Sequence, residues 1–179
     1  MVTPLQAFSN FSSLENQGKR LFFNPVAEGG AGCAGCHLAP PLGLNPDQRF
    51  RPTSIFFVNG AANIGLSDGR NLNEDIGLGT VTGRQEDYGK FKAPSLRQVA
   101  QSAPYMHNGS LPNLRSVIDH YDSGVLPHPN LDPRLRESPR GRPQRLNLSE
   151  ADKTALEAFL HTLTDPTLEN DIRFSSPFC

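Results

Sequence analysis

The stretch GGAGCAGCHLAPP, residues 29–41, sets Cys33, Cys36 and His37 in the order C-x-x-C-H. That order is a c-type haem attachment signature. Two thiols two residues apart can each add to one vinyl group of a haem, and the next residue places an imidazole beneath the iron. Haem is far larger than any side chain, so a domain of this size must form around it. A thioredoxin-like pair instead needs an apolar strand before it and a helix after it. Here glycines precede the pair, and Pro40 and Pro41 follow it. A zinc site needs four ligands, and the third cysteine, Cys179, ends the chain. Histidine directly after the second cysteine decides for haem. The expected cofactor is one covalent haem c on Cys33 and Cys36, with His37 as proximal ligand.

The flanks fit a cytochrome c fold. Upstream, Ser12 or Ser13 can cap a first helix with Glu15 in its first turn, running to about Phe23. Leu14, Gly18, Leu21 and Phe22 recur at helical spacing. Gly18 weakens the helix, which suggests the close approach of another. Far downstream, Ser149 and Asp152 form a capping-box pattern before a stripe of Ala155, Leu156, Phe159, Leu160 and Leu163. The first and last helices are expected to cross, with Gly18 and Phe22 against Phe159 and Leu160. The fold class is mainly α, a cytochrome c-like haem domain with long Gly/Pro-rich loops.

Between these helices, the apolar run at 54–58 is too short to assign to helix or strand. Residues 60–89 read as loop around the cofactor, with turns at 68–69 and 87–89. A short helix is expected from Leu96 to Gln101. Another is expected after Ser110, with Leu111, Leu114, Val117, Ile118 and Tyr121 on one face and residues 122–124 as its stop. Residues 125–147 hold Arg134, Arg136, Arg140, Arg142 and Arg145. They read as a solvated surface loop, with a docking patch for an acidic redox partner as the sharper alternative. Phe174 and Phe178 are expected to anchor the tail.

At 179 residues the chain suffices for one domain, read as a lead-in at 1–11 and a haem domain at 12–179. A net charge of −1 points to neither nucleic acid nor an anionic membrane. No apolar run approaches membrane-spanning length. Residues 1–6 show no basic or apolar segment of a secretory signal. Haem c is normally attached outside the bacterial cytoplasm, so the chain reads as a mature or truncated form, periplasmic or otherwise outside the cytoplasm. Cys179 then reads as a spare thiol.

Several stretches resemble the bacterial di-haem cytochrome c peroxidases and MauG: GKRLFF at 18–23, the haem motif, GKFKAPSLR at 89–97, APYMHNGS at 103–110, HYD at 120–122 and NLDP at 130–133. The resemblance is to the C-terminal half of that family. It implies a haem domain that relays electrons to or from a peroxide-reactive haem domain. This sequence has one C-x-x-C-H and no tryptophan, whereas the family typically places a tryptophan between its haems. The expected partner is therefore a second haem domain or a redox protein. A stand-alone monohaem carrier is the alternative.

The resemblance also bears on the distal ligand. In the family it lies fourteen positions after the histidine of Pro-Tyr-x-His, as Met in the peroxidases and Tyr in MauG. Counted from His107, that position is Tyr121, which the helical stripe also turns inward. Met106 is the alternative, followed by His107, His120 and His128. A thioether favours ferrous iron and a phenolate favours ferric or higher states. Arg97 is a candidate for a haem propionate, and His107 for a contact near the haem. The resemblance further implies backbone carbonyls of Ser102 and Pro104 as calcium ligands, and calcium needs many oxygen donors.

Overall fold

The structure, a computed structural model, describes residues 6–37, 61–66, 75–138 and 141–176. The run at 54–58, the turn at 68–69, Pro40, Pro41, Arg140, Phe178 and Cys179 lie outside these residues, as does the side chain of Phe174.

Helix α1 spans Ser13–Phe23. Ser12 Oγ accepts the Glu15 N–H, and the Glu15 carboxylate accepts the Ser12 N–H. This capping box satisfies two of the donors that a helix start leaves open. Helix α5, the long C-terminal helix, spans Glu150–His161 and opens on the same device, built from Ser149 and Asp152. The two helices pack at Gly18. A Cβ there would stand 1.8 Å from the Ala155 carbonyl oxygen and 2.8 Å from Phe159 Cβ. Glycine is thus required by backbone-to-backbone contact. Phe22 and Phe159 meet at 5.2 Å between ring centroids and are nearly fully buried, each contributing about 1.5–3 kcal/mol through burial. Leu96, Val99, Leu114, Ile118, Leu156 and Leu160 complete the core.

Leu14 departs from the expected stripe and is exposed. Residues 6–11 cover a different face of α1. Asn16 bonds the Phe8 N–H and the carbonyls of Phe8 and Phe11. Buried Lys19 donates to the Gln6 carbonyl and sits 3.3 Å from the Phe8 ring centroid. A polar side chain can be buried when its bonds are made, so Asn16 and Lys19 take inward positions that periodicity assigned to Leu14.

The haem motif forms a single helical turn, α2, at Ala34–His37. The region read as loop carries more structure than expected. Strand β1, Ala61–Asn63, pairs antiparallel with β2, Lys90–Lys92, and helix α3 covers Leu78–Thr82. The helix expected over Leu96 to Gln101 shrinks to one 3₁₀ turn, Val99–Gln101, because Gln98 adopts a left-handed conformation, φ 57°. Helix α4 is Leu114–Asp119, not a helix from Ser110. Its cap is Asn113, whose Oδ1 accepts the Ser116 N–H at 2.8 Å. Leu111 instead pairs with Tyr105 in an antiparallel bridge. The helix continues as a π-helical turn over His120–Gly124 and ends there, at the last residue of the expected stop.

Replacing Gly18 by Ala forces α1 and α5 apart. Urea unfolding should show a loss of about 2–3 kcal/mol. A change below about 0.5 kcal/mol would show that the backbones do not touch.

Candidate haem site

The attachment motif is set by its own short turn. The Cys33 carbonyl accepts the N–H groups of Cys36 and His37, both at 3.1 Å. Spacing of three puts Cys33 and Cys36 on one side of that turn, and neither is in a disulfide. Burial pushes the Cys33 thiol up to about 12, with the neighbouring Cys36 adding to the effect. Burial also raises Cys36, against the pull of the Arg134 charge. Both thiols therefore remain protonated at neutral pH.

His37 Nδ1 lies 3.1 Å from the Pro94 carbonyl. A carbonyl can only accept, so Nδ1 carries the proton and donates. This tautomer leaves Nε2 as the free lone pair, the usual arrangement for a metal-bound imidazole. Burial lowers the His37 pKa, the Pro94 bond opposes that, and the Arg134 charge lowers it further. The net direction favours a neutral imidazole. Two half-buried thiols and an oriented, neutral imidazole fit the chemistry of haem c.

Tyr121 shares this neighbourhood. Burial raises its pKa, and the Cys36 and Cys33 thiols raise it further electrostatically. Solvent exposure classes the residue as half-buried. No described residue hydrogen-bonds its hydroxyl. The competing histidines are engaged otherwise. His120 Nε2 lies 2.9 Å from the Ile64 carbonyl, and His128 Nδ1 accepts the Asn130 N–H at 3.0 Å. His107 is exposed and stacks on Phe91 at 3.7 Å. Met106 is half-buried with a left-handed backbone, φ 70°.

Arg97 is exposed. Ser102 and Pro104 are exposed as well, and the Ser102 hydroxyl donates to the Gln98 carbonyl. Among the described residues no group of three His, Cys, Asp or Glu side chains gathers to hold a metal ion.

Arg134 is the residue that sequence reading missed. The sequence around it reads as a solvated loop, but its Nη1 donates to the Gly35 carbonyl, between the two cysteines. Its Nε and Nη2 donate to Asp132 at 2.8 and 2.7 Å, and its N–H donates to Asp132 Oδ1 at 2.9 Å. Burial alone would raise the Asp132 carboxyl, but the Arg134 bonds and the charges of Arg134 and Arg136 hold it below its ordinary value. Arg136 bonds the carbonyls of Leu131, His128 and Pro129. Arg142 and Arg145 are exposed, as expected. The signal was present in Asp132-Pro133, an Asx-type turn start that turns the next residue back on the carboxylate.

Residues 90–122, from β2 through α4 to Asp122, match the family described as RoxA-like, cytochrome c-like. The cytochrome-c peroxidase IdrP1 of Pseudomonas sp. (strain SCT) is 33% identical over 175 residues, covering 88% of this chain and 42% of that protein. The methylamine utilization protein MauG of Paracoccus denitrificans is 32% identical over 200 positions, covering 92% of this chain and 50% of that protein. The chain belongs to the cytochrome c peroxidase/MauG family. A crystal structure of a MauG-like protein associated with microbial copper homeostasis superposes with a TM-score of 0.70 at 32% identity, covering 96% of this chain and 49% of that one. The chain thus spans about half the length of the relatives it matches. It carries a cytochrome c-like domain, whose family implies haem c. Among the described residues, no helix is long and apolar enough to cross a membrane.

Replacing Arg134 by Met leaves the nearly buried Asp132 carboxylate without its main donor. The expected loss is about 2 kcal/mol in urea unfolding. It also raises the midpoint of acid unfolding. A carboxyl held below its unfolded value stabilises the fold above that value, near 3.8. That stability disappears as pH falls through the lowered folded value. The variant should therefore unfold at higher pH than the parent, as followed by circular dichroism, and coincident acid transitions would count against the clamp.

Proposed function

We propose that this chain is the electron-transfer haem domain of a cytochrome c peroxidase/MauG-type oxidoreductase, corresponding to the C-terminal half of such enzymes. One haem c would be held by thioethers at Cys33 and Cys36. His37 and Tyr121 would ligate its iron. Haem c supplies a one-electron couple. The protein's part is to hold both ligands and exclude bulk water. Pro94 fixes the imidazole, and Arg134 secures the loop between the cysteines. Electrons pass to or from a second haem domain or a redox partner protein, outside the bacterial cytoplasm.

The observation that carries this reading is the Tyr121 phenol. Burial and the two cysteine thiols raise its pKa, no described residue hydrogen-bonds it, and His120 Nε2 and His128 Nδ1 each have a partner. An anionic oxygen ligand favours ferric iron and a low potential. If His37 and Tyr121 both ligate the iron, it would offer peroxide no open position, so the isolated chain should turn over peroxide poorly. The stand-alone carrier shares this property. The two differ in partner: a relay domain exchanges electrons rapidly with a peroxide-reactive haem domain, and a carrier exchanges them with soluble donors alone. Calcium at the Ser102 and Pro104 carbonyls would require further oxygen donors, so its affinity for this chain alone is weak.

Replacing Tyr121 by Phe in the haem-loaded chain should abolish the ferric tyrosinate signature in optical and EPR spectra. The reduction potential should rise by at least about 60 mV, a tenfold change for a one-electron couple. Met106→Leu should leave both unchanged. An unaltered six-coordinate spectrum in Tyr121→Phe would remove Tyr121 from the role.

A further inference from the structure

Tyr121 stands between two buried polar residues, and each is fastened to a different part of the chain. His120 reaches the Ile64 carbonyl at the end of β1. Asp122 Oδ1 accepts the Leu148 N–H at 2.9 Å, and its Oδ2 takes Lys153 Nζ at 3.1 Å. The Asp122 backbone carbonyl accepts the Leu146 N–H at 3.0 Å. Lys153, itself nearly buried, also meets Asp119 at 2.8 Å. Asp119 is the last residue of α4, and Lys153 lies on the first turns of α5.

These anchors surround a change of helical register. The chain is α-helical to Asp119 and π-helical over His120–Gly124. A π turn carries an extra residue, and such turns concentrate at functional sites. The competing state is plain α-helix, reached by slipping the turn by one residue. One residue of slip rotates a side chain by about 100°. The direction of Tyr121 therefore depends on which register the turn adopts, and not only on the stripe begun by Leu114 and Ile118.

We infer that Lys153 and Asp122 are positioning residues for the distal ligand, holding the π turn in the register that directs the Tyr121 phenol toward the attachment motif. The inference rests on the reading of Tyr121 as that ligand. The physical argument is the fate of a buried carboxylate. Both Asp122 oxygens have donors, one of them a cation. Without Lys153, a buried charge is left with a single amide, and the strongest relief is for Asp122 to move toward water. Asp122 cannot move without its neighbour, because the turn places them on adjacent backbone units. The remaining bonds of Lys153 to Asp119 and Glu150 do not reach the turn beyond Asp119.

The test uses the haem-loaded ferric chain and two readouts, the tyrosinate charge-transfer band and the affinity for added imidazole. Lys153→Met should reduce the band to less than half and tighten imidazole binding at least tenfold. Asp122→Asn removes the charge without burying an unpaired one, so it tests the idea even where Lys153→Met fails to fold. It should tighten imidazole binding at least threefold. Lys153→Arg should restore the parent spectrum. Arg115→Met removes the Arg115 pairs with Asp119, Glu150 and Glu157 but leaves Lys153 bonded to Asp122, and should leave both readouts unchanged. Parent-like band and imidazole affinity in both Lys153→Met and Asp122→Asn, with the band lost in Tyr121→Phe, would overturn this inference while leaving the ligand assignment standing. A band retained in Tyr121→Phe would overturn both.

Discussion

The contact on which this structure depends is backbone against backbone, where α1 meets α5 at Gly18 and Ala155. A single absent Cβ lets two helices touch that are separated by most of the chain. That proximity brings Phe22 and Phe159 together and fixes where α1 ends. The end of α1 in turn fixes the glycine-rich loop that enters the haem motif: the Ala31 N–H donates to the Leu21 carbonyl at 2.7 Å, and the Gly32 N–H to the Asn24 carbonyl. The attachment turn is therefore placed by helix packing, although it contributes little packing of its own.

Around the motif, the recurring device is a backbone carbonyl meeting a polar side chain. Pro94 takes His37, Gly35 takes Arg134, and Ile64 takes His120. A carbonyl is a fixed acceptor that no change of protonation removes. Each such bond defines an orientation without adding a titrating group. The acceptors that orient these side chains therefore stay the same across the neutral pH range.

Much of the frame was legible in the sequence because it rests on local rules. The caps at Ser12 and Ser149 follow from spacing alone, and the Gly18 crossing follows from a glycine where a helix should avoid one. The haem motif is a five-residue chemical signature. What escaped was long-range or polar. Lys19 and Asn16 are inward because residues 6–11 fold over them, and no periodicity records that. Leu111 left its helix for a bridge to Tyr105, since Asn113 caps better than Ser110 when its side chain reaches the third residue on. The π turn carries no compositional mark at all. Arg134 looked like one charge in a basic run, and only the fold shows which carbonyl it meets.

The bond separations also set an order of events. The groups that fix the attachment turn lie 57 and 99 residues beyond it, at Pro94 and Arg134. Bonds across such separations form only once distant parts of the chain have come together. Until then Cys33 and Cys36 sit on a segment that its clamps do not hold. The far placement of Pro94 and Arg134 thus leaves the motif accessible in the unfolded chain longer than closer partners would.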